Sequence, residues 1–132
     1  MGELMKVEGG GLIGLLHGAG GGLTVPKPFE RDIFLFDTTV VGTSYIDGIE
    51  ELEPFLKEGD RLDLFREPDN PHDNMAIVVK NADGARLGYV PRRDNTVFSR
   101  LMDAGKLLFC RISRKVTRDG WLTLDIKIYM HE

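Results

Sequence analysis

Cysteine is nearly absent from this chain. The single thiol, Cys110 in the run KLLFCRI, excludes an intramolecular disulfide, fits a reducing compartment and reads as a small buried hydrophobe. Histidine is scarce as well: His17, His72 and His131 stand far apart and, with one Cys, offer no metal-ligand spacing. Asp69, His72 and Asp73 share one turn, but that turn lacks the internal glycine and distal glutamate of a calcium loop. Ser44, Ser99 and Ser113 sit in no nucleophile elbow, so a hydrolytic triad is not indicated. The expectation is a non-enzymatic protein with no catalytic residue, no metal and no cofactor.

Aromatics make up only 8% of the residues and charged residues 29%, which argues against a membrane protein. The N-terminal stretch MGELMKVEGGGLIGLLHGAGGG is no export signal, because Glu3 and Glu8 face Lys6 and glycines interrupt its apolar segment. Its GAGGGL cluster lacks the Lys-Ser/Thr of a phosphate-binding loop, and no strand precedes it. A cytoplasmic location is expected. Residues 1–28 hold more than half of the glycines and are read as a flexible tail. The folded part is expected over 29–132, enough chain for one modest core.

What is present is mostly strand. DIFLFDTTVVG is β-branched and aromatic, with the sparse polar positions of a strand buried on much of both faces. IEELEPFLKEG carries helical spacing that Pro54 limits to a short helix. RLDLFRE alternates, MAIVVK reads as a buried strand, and NADG turns the chain into RLGYV. RRDNTVFSRLMDAGK predicts a helix with Asp94 or Asn95 near its N-cap, Val97, Phe98 and Leu101 on one face, and Gly105 after it. KLLFCRISRKV and WLTLDIKIYM, joined by TRDG, close the chain. This pattern predicts a mainly β fold with two short helices, a small, partly closed six-stranded barrel of OB or SH3-like shape.

The net charge of -4 conceals an asymmetry. Acids outnumber bases by more than two to one before Arg86, whereas bases dominate from Arg86 to Lys127. A local basic patch, rather than the total, is what a nucleic acid meets. Arg111, Arg114, Lys115 and Arg118 are mostly expected to be solvated faces.

The most distinctive stretch, REPDNPHDNMAIVV, is followed by LGYVPR and preceded by VVGTSY. Together, from about Ile33 to Tyr129, these residues resemble the HIRAN domain, a family found at the N-terminus of fork-remodelling helicases and as a stand-alone bacterial module. The resemblance implies an OB-like barrel that binds single-stranded DNA and recognises its free 3′-hydroxyl end. Family binding positions fall on Ser44, Tyr45, Asp73, Tyr89, Arg92 and Trp121. Ser44 and Ile46 stand where the best-studied members carry an Arg and a second Tyr.

The carried-over residues suit that chemistry. Asp73 repels phosphate yet accepts a strong hydrogen bond from a terminal ribose hydroxyl; the alternative is a turn cap or an ion pair with Arg66. Tyr45, Tyr89 and Trp121 offer faces for bases, with core packing the alternative for Tyr89. Arg92 and Arg93 suit backbone phosphates, or else form a solvated helix start. Asn70, Pro71 and Asn74 are read as turn geometry, and His72 as an exposed rim residue. The leading expectation is therefore a binding module for single-stranded DNA 3′ ends in repair- or replication-associated processes, with a helicase or nuclease as a partner in trans and no membrane. Its rival is a protein-interaction or structural barrel without a DNA groove.

Overall fold

The computed structural model describes residues 31–132; the expected glycine-rich tail lies outside the described residues. Six strands, β1 (Asp32–Thr39), β2 (Arg61–Arg66), β3 (Ile77–Lys80), β4 (Arg86–Tyr89), β5 (Leu107–Arg118) and β6 (Trp121–His131), form one antiparallel sheet in the order β1-β6-β5-β2-β3-β4. The helices are α1 (Ile49–Leu52), which passes into a 3-10 turn over Glu53–Phe55 at Pro54, and α2 (Arg92–Asp103).

Alternation builds the core. In β6, Leu124, Ile126 and Ile128 are fully buried and meet Leu62, Leu64, Ile77, Val79, Leu87, Cys110 and Ile112. Each such side chain contributes about 1.5–3 kcal/mol relative to exposure. Burial also pushes the Cys110 thiol up to about 12, so it stays protonated and packs as an apolar group. The β5–β6 hairpin turns on Asp119 and Gly120, both with positive φ (52° and 78°), the hand of turn that follows strand twist.

Irregularities in register at Phe34/Phe36, Val79/Lys80 and Ile112/Arg114 bend the sheet into a half-barrel. Closure comes just after β1, where Val41 and Tyr89 exchange backbone hydrogen bonds of 2.8 and 2.9 Å. Gly88 permits this approach, because a Cβ there would lie 2.5 Å from the Val41 carbonyl oxygen and 2.6 Å from Val40 Cγ1. The predicted six-stranded, partly closed barrel with two short helices is the observed fold.

Three local expectations differ. β1 is not buried on both faces: it is the outer strand, paired only with β6, and Phe34 and Phe36 are exposed. Neither Asp94 nor Asn95 caps α2, which starts after Pro91; Asp94 instead accepts a 2.7 Å hydrogen bond from the Thr38 hydroxyl. Val97 borders one groove with Phe98 and Leu101 but is exposed rather than packed, since the buried face of α2 carries Asn95, Phe98 and Ser99.

Candidate nucleic-acid interface

The loop between β2 and β3 is built by its own side chains. Asn70 Oδ1 accepts from the backbone N–H groups of His72 and Asp73, and Asp73 Oδ1 accepts from that of Met75 at 2.9 Å. These are the side-chain turns that Asn and Asp favour. Arg66 spans the loop from beneath, donating to the carbonyls of Asn74 and Ala76 and pairing with Asp103 at 2.9 Å. The alternative of an Arg66–Asp73 pair is thus not what forms; the turn-capping alternative occupies one Asp73 oxygen.

The second oxygen, Asp73 Oδ2, accepts from Asn95 Nδ2 at 2.8 Å and faces Arg92 Nε at 3.6 Å. The Asn95 hydrogen bond, then the Met75 N–H and Arg92, hold the carboxyl below its ordinary value. An ionised carboxylate has about four acceptor sites, so these contacts leave room for another donor. Arg92 also donates to the His72 carbonyl. Val41, His72, Asp73, Tyr89, Arg92 and Asn95 line a cavity of about 330 Å³.

Tyr89 forms a wall of a second cavity, about 560 Å³, lined also by Tyr45, Ile46, Asp47, Leu52 and Arg86. Its phenol donates to Glu67 Oε1 at 2.8 Å and accepts from Arg86 Nη1 at 2.7 Å, while Arg86 Nη2 meets Glu67 Oε2 at 2.7 Å. Burial opposes ionisation of Glu67, but the donors Tyr89, Asn70 and Arg86 outweigh it and its carboxyl lies below its usual value. Burial and the bond to Glu67 raise the Tyr89 phenol. Tyr89 is half-buried, so it is both packed and accessible.

Ser44 and Tyr45 sit on a 3-10 turn, Thr43–Tyr45, whose Thr43 hydroxyl donates to the Leu122 carbonyl at 2.9 Å. That bond brings the turn beside the start of β6, where Trp121 lies. Tyr45 is 88% and Trp121 63% exposed. The fold thus gathers Asp73, Tyr89 and Arg92 around one cavity and Tyr45 around its neighbour, with Ser44 exposed next to Tyr45. Trp121 lines neither cavity. Arg93 pairs with Asp94 at 3.7 Å and lines a separate groove with Phe36 and Val97.

Asn95, Glu67 and Arg86 were not expected at this site. For Asn95 the signal was present: it shares a helical face with buried Phe98 and Ser99, where an amide needs a partner. Arg86 was hidden by the irregular β3–β4 pairing, Val79 with Gly88 but Lys80 with Arg86, which breaks simple alternation along β4. Four cations of the basic second half pair with acids of the first half: Arg86 with Glu67, Arg92 with Asp73, Lys115 with Glu53 and Lys127 with Asp37. Of the four cations Arg111, Arg114, Lys115 and Arg118, most of which were expected to face solvent, Lys115 is tied to the carbonyls of Glu53 and Leu56. Among the described residues no three His, Cys, Asp or Glu side chains converge as metal ligands, and no helix is long and apolar enough to cross a membrane.

A curled half-barrel with two cavities beside its Val41–Tyr89 bridge is an OB-like fold. The family model described as HIRAN domain matches residues 33–132, and the chain belongs to that family. Among curated proteins it resembles the helicase-like transcription factors of Mus musculus and Oryctolagus cuniculus, each 34% identical over 77 residues, 56% of this chain. The match spans 7% of the length of those relatives. Among solved structures, a protein from Lactobacillus plantarum superposes with TM-score 0.72 at 31% identity, covering 77% of this chain and 97% of that one. The HIRAN domain of human HLTF superposes with TM-score 0.58 at 20% identity, over 76% of this chain and 81% of that one, and shares the fold.

Proposed function

We propose that this domain is a nucleic-acid-binding module, as membership of the HIRAN family implies, and that it takes single-stranded DNA by a free 3′-hydroxyl end. The observation that carries this reading is the Asp73 carboxylate, fixed in a small cavity with Arg92 at its rim. A ribose hydroxyl donates to such a carboxylate, whereas a terminal phosphate is repelled by it. Arg92 holds a backbone phosphate, with Arg93 a more distant cation. The exposed rings of Tyr45 and Trp121 stack on bases, beside Ser44, and the half-exposed Tyr89 guides the strand between cavities. No bond is made or broken, so the module is not an enzyme. It acts in repair- or replication-associated processes in the cytoplasm, with a helicase or nuclease in trans.

Fluorescence anisotropy with labelled oligonucleotides ending in 3′-hydroxyl or 3′-phosphate tests this. Tighter binding of the hydroxyl end is expected; equal affinities would remove the end-reading role of Asp73. The second reading, a protein-interaction module, is favoured by the apolar groove in which Phe36 and Val97 are exposed beside Leu101, and by the pairing of Arg86, Arg92, Lys115 and Lys127 with acids. Absence of any oligonucleotide binding at low salt would favour it.

A further inference from the structure

We infer that the cavity beside Tyr45 is a second nucleotide subsite in which Arg86 takes the backbone phosphate, exchanging its ion pair with Glu67 for the strand. The inference rests on the single-strand reading above and assigns a residue that reading does not use.

The cavity is lined by apolar and charged side chains together. Ile46, Leu52 and the exposed ring of Tyr45 suit the flat face of a base, and Arg86 is the cation among the described residues that line it. Asp47 also lines the cavity and opposes phosphate, so a cation is needed there to hold a strand. Tyr89 borders this cavity and that of Asp73, so a strand ending at Asp73 enters it by crossing one ring.

Arg86 is placed for exchange. Its side chain is 51% exposed, and its contacts with the Tyr89 phenol and Glu67 use two of five N–H donors. Glu67 is meanwhile held by Tyr89 and by Asn70, at 2.8 and 3.2 Å, so its carboxylate keeps two donors when Arg86 turns away. A guanidinium meeting phosphate gains the bidentate geometry that a fork of donors favours. Were Arg86 only a tie between β4 and the loop after β2, its removal would lower stability and leave the salt response of binding unchanged.

The test uses the full chain and a labelled oligothymidylate with a 3′-hydroxyl, titrated at several salt concentrations. Arg86→Gln is expected to weaken binding roughly tenfold at low salt. It should also make the slope of log affinity against log salt shallower by about 0.7, the share of one phosphate contact on a single strand. Arg86→Lys should keep the wild-type slope. Binding by Arg86→Gln with the wild-type slope overturns the inference while leaving the single-strand reading intact. Failure of the wild-type chain to bind overturns both.

Discussion

On one side of Tyr89 the Asp73 carboxylate is fixed by Met75 and Asn95, with only 19% of its side-chain surface exposed; on the other the Tyr45 ring is 88% exposed. The first cavity is preorganised by hydrogen bonds within a folded loop and from Asn95 of α2, whereas the second presents an exposed ring beside the Arg86–Tyr89–Glu67 network. Such a pair suits a fixed test of the strand's end beside an adaptable grip on what precedes it, because preorganisation gives selectivity and stacking tolerates any base. Both depend on one seam, the Val41–Tyr89 backbone pair that Gly88 allows.

Breaking the seam should remove the distinction altogether. Gly88→Ala drives a methyl into the Val41 carbonyl and is expected to destabilise the fold by about 3 kcal/mol, with both cavities lost. Urea denaturation measures this; a shift under 1 kcal/mol would mean the seam yields easily. Tyr45→Ala strikes the adaptable side alone. It should weaken oligonucleotide binding by about 1–3 kcal/mol while leaving the denaturation midpoint in place, since the ring buries little.

Asn95→Ala sharpens the contrast from the preorganised side. The Asp73 carboxyl is held low chiefly by Asn95, so hydroxyl-end selectivity should persist as pH falls through the ordinary aspartate range and vanish below it. Without that donor the carboxyl protonates sooner, and selectivity should disappear at a higher pH than in the wild type. A coincident pH profile would show that Asn95 does not set the ionisation. The smallest effect is expected from Arg93→Gln, because Arg93 lines the Phe36 groove with Asp94 rather than either cavity. Its affinity should stay within about threefold of wild type, the usual range for a surface charge.

How much of this was legible in the sequence follows from which forces are local. Alternation along Leu122, Leu124, Ile126 and Ile128, the Asp-Gly turn and Pro54 announce their elements because each acts within a few residues. The Asn70–Asp73 turn is legible for the same reason. Asn95 reaching Asp73, and Arg86 and Tyr89 of β4 meeting Glu67, are contacts between elements whose relative placement depends on the irregular β3–β4 pairing and on the phase of α2. The charge asymmetry misled for a related reason: Lys127 lies opposite Asp37 across β6 and β1, and Lys115 reaches Glu53 in the turn after α1, so part of the basic second half is paired with the acidic first half.

The central claim, that Asp73 receives the terminal hydroxyl, is tested most directly by following the Asp73 carboxyl carbon by NMR as oligonucleotide is added. The account predicts that its resonance shifts with a 3′-hydroxyl strand and stays put with the 3′-phosphate form. A hydroxyl-ended strand that binds while the Asp73 carboxyl resonance remains unmoved would contradict it.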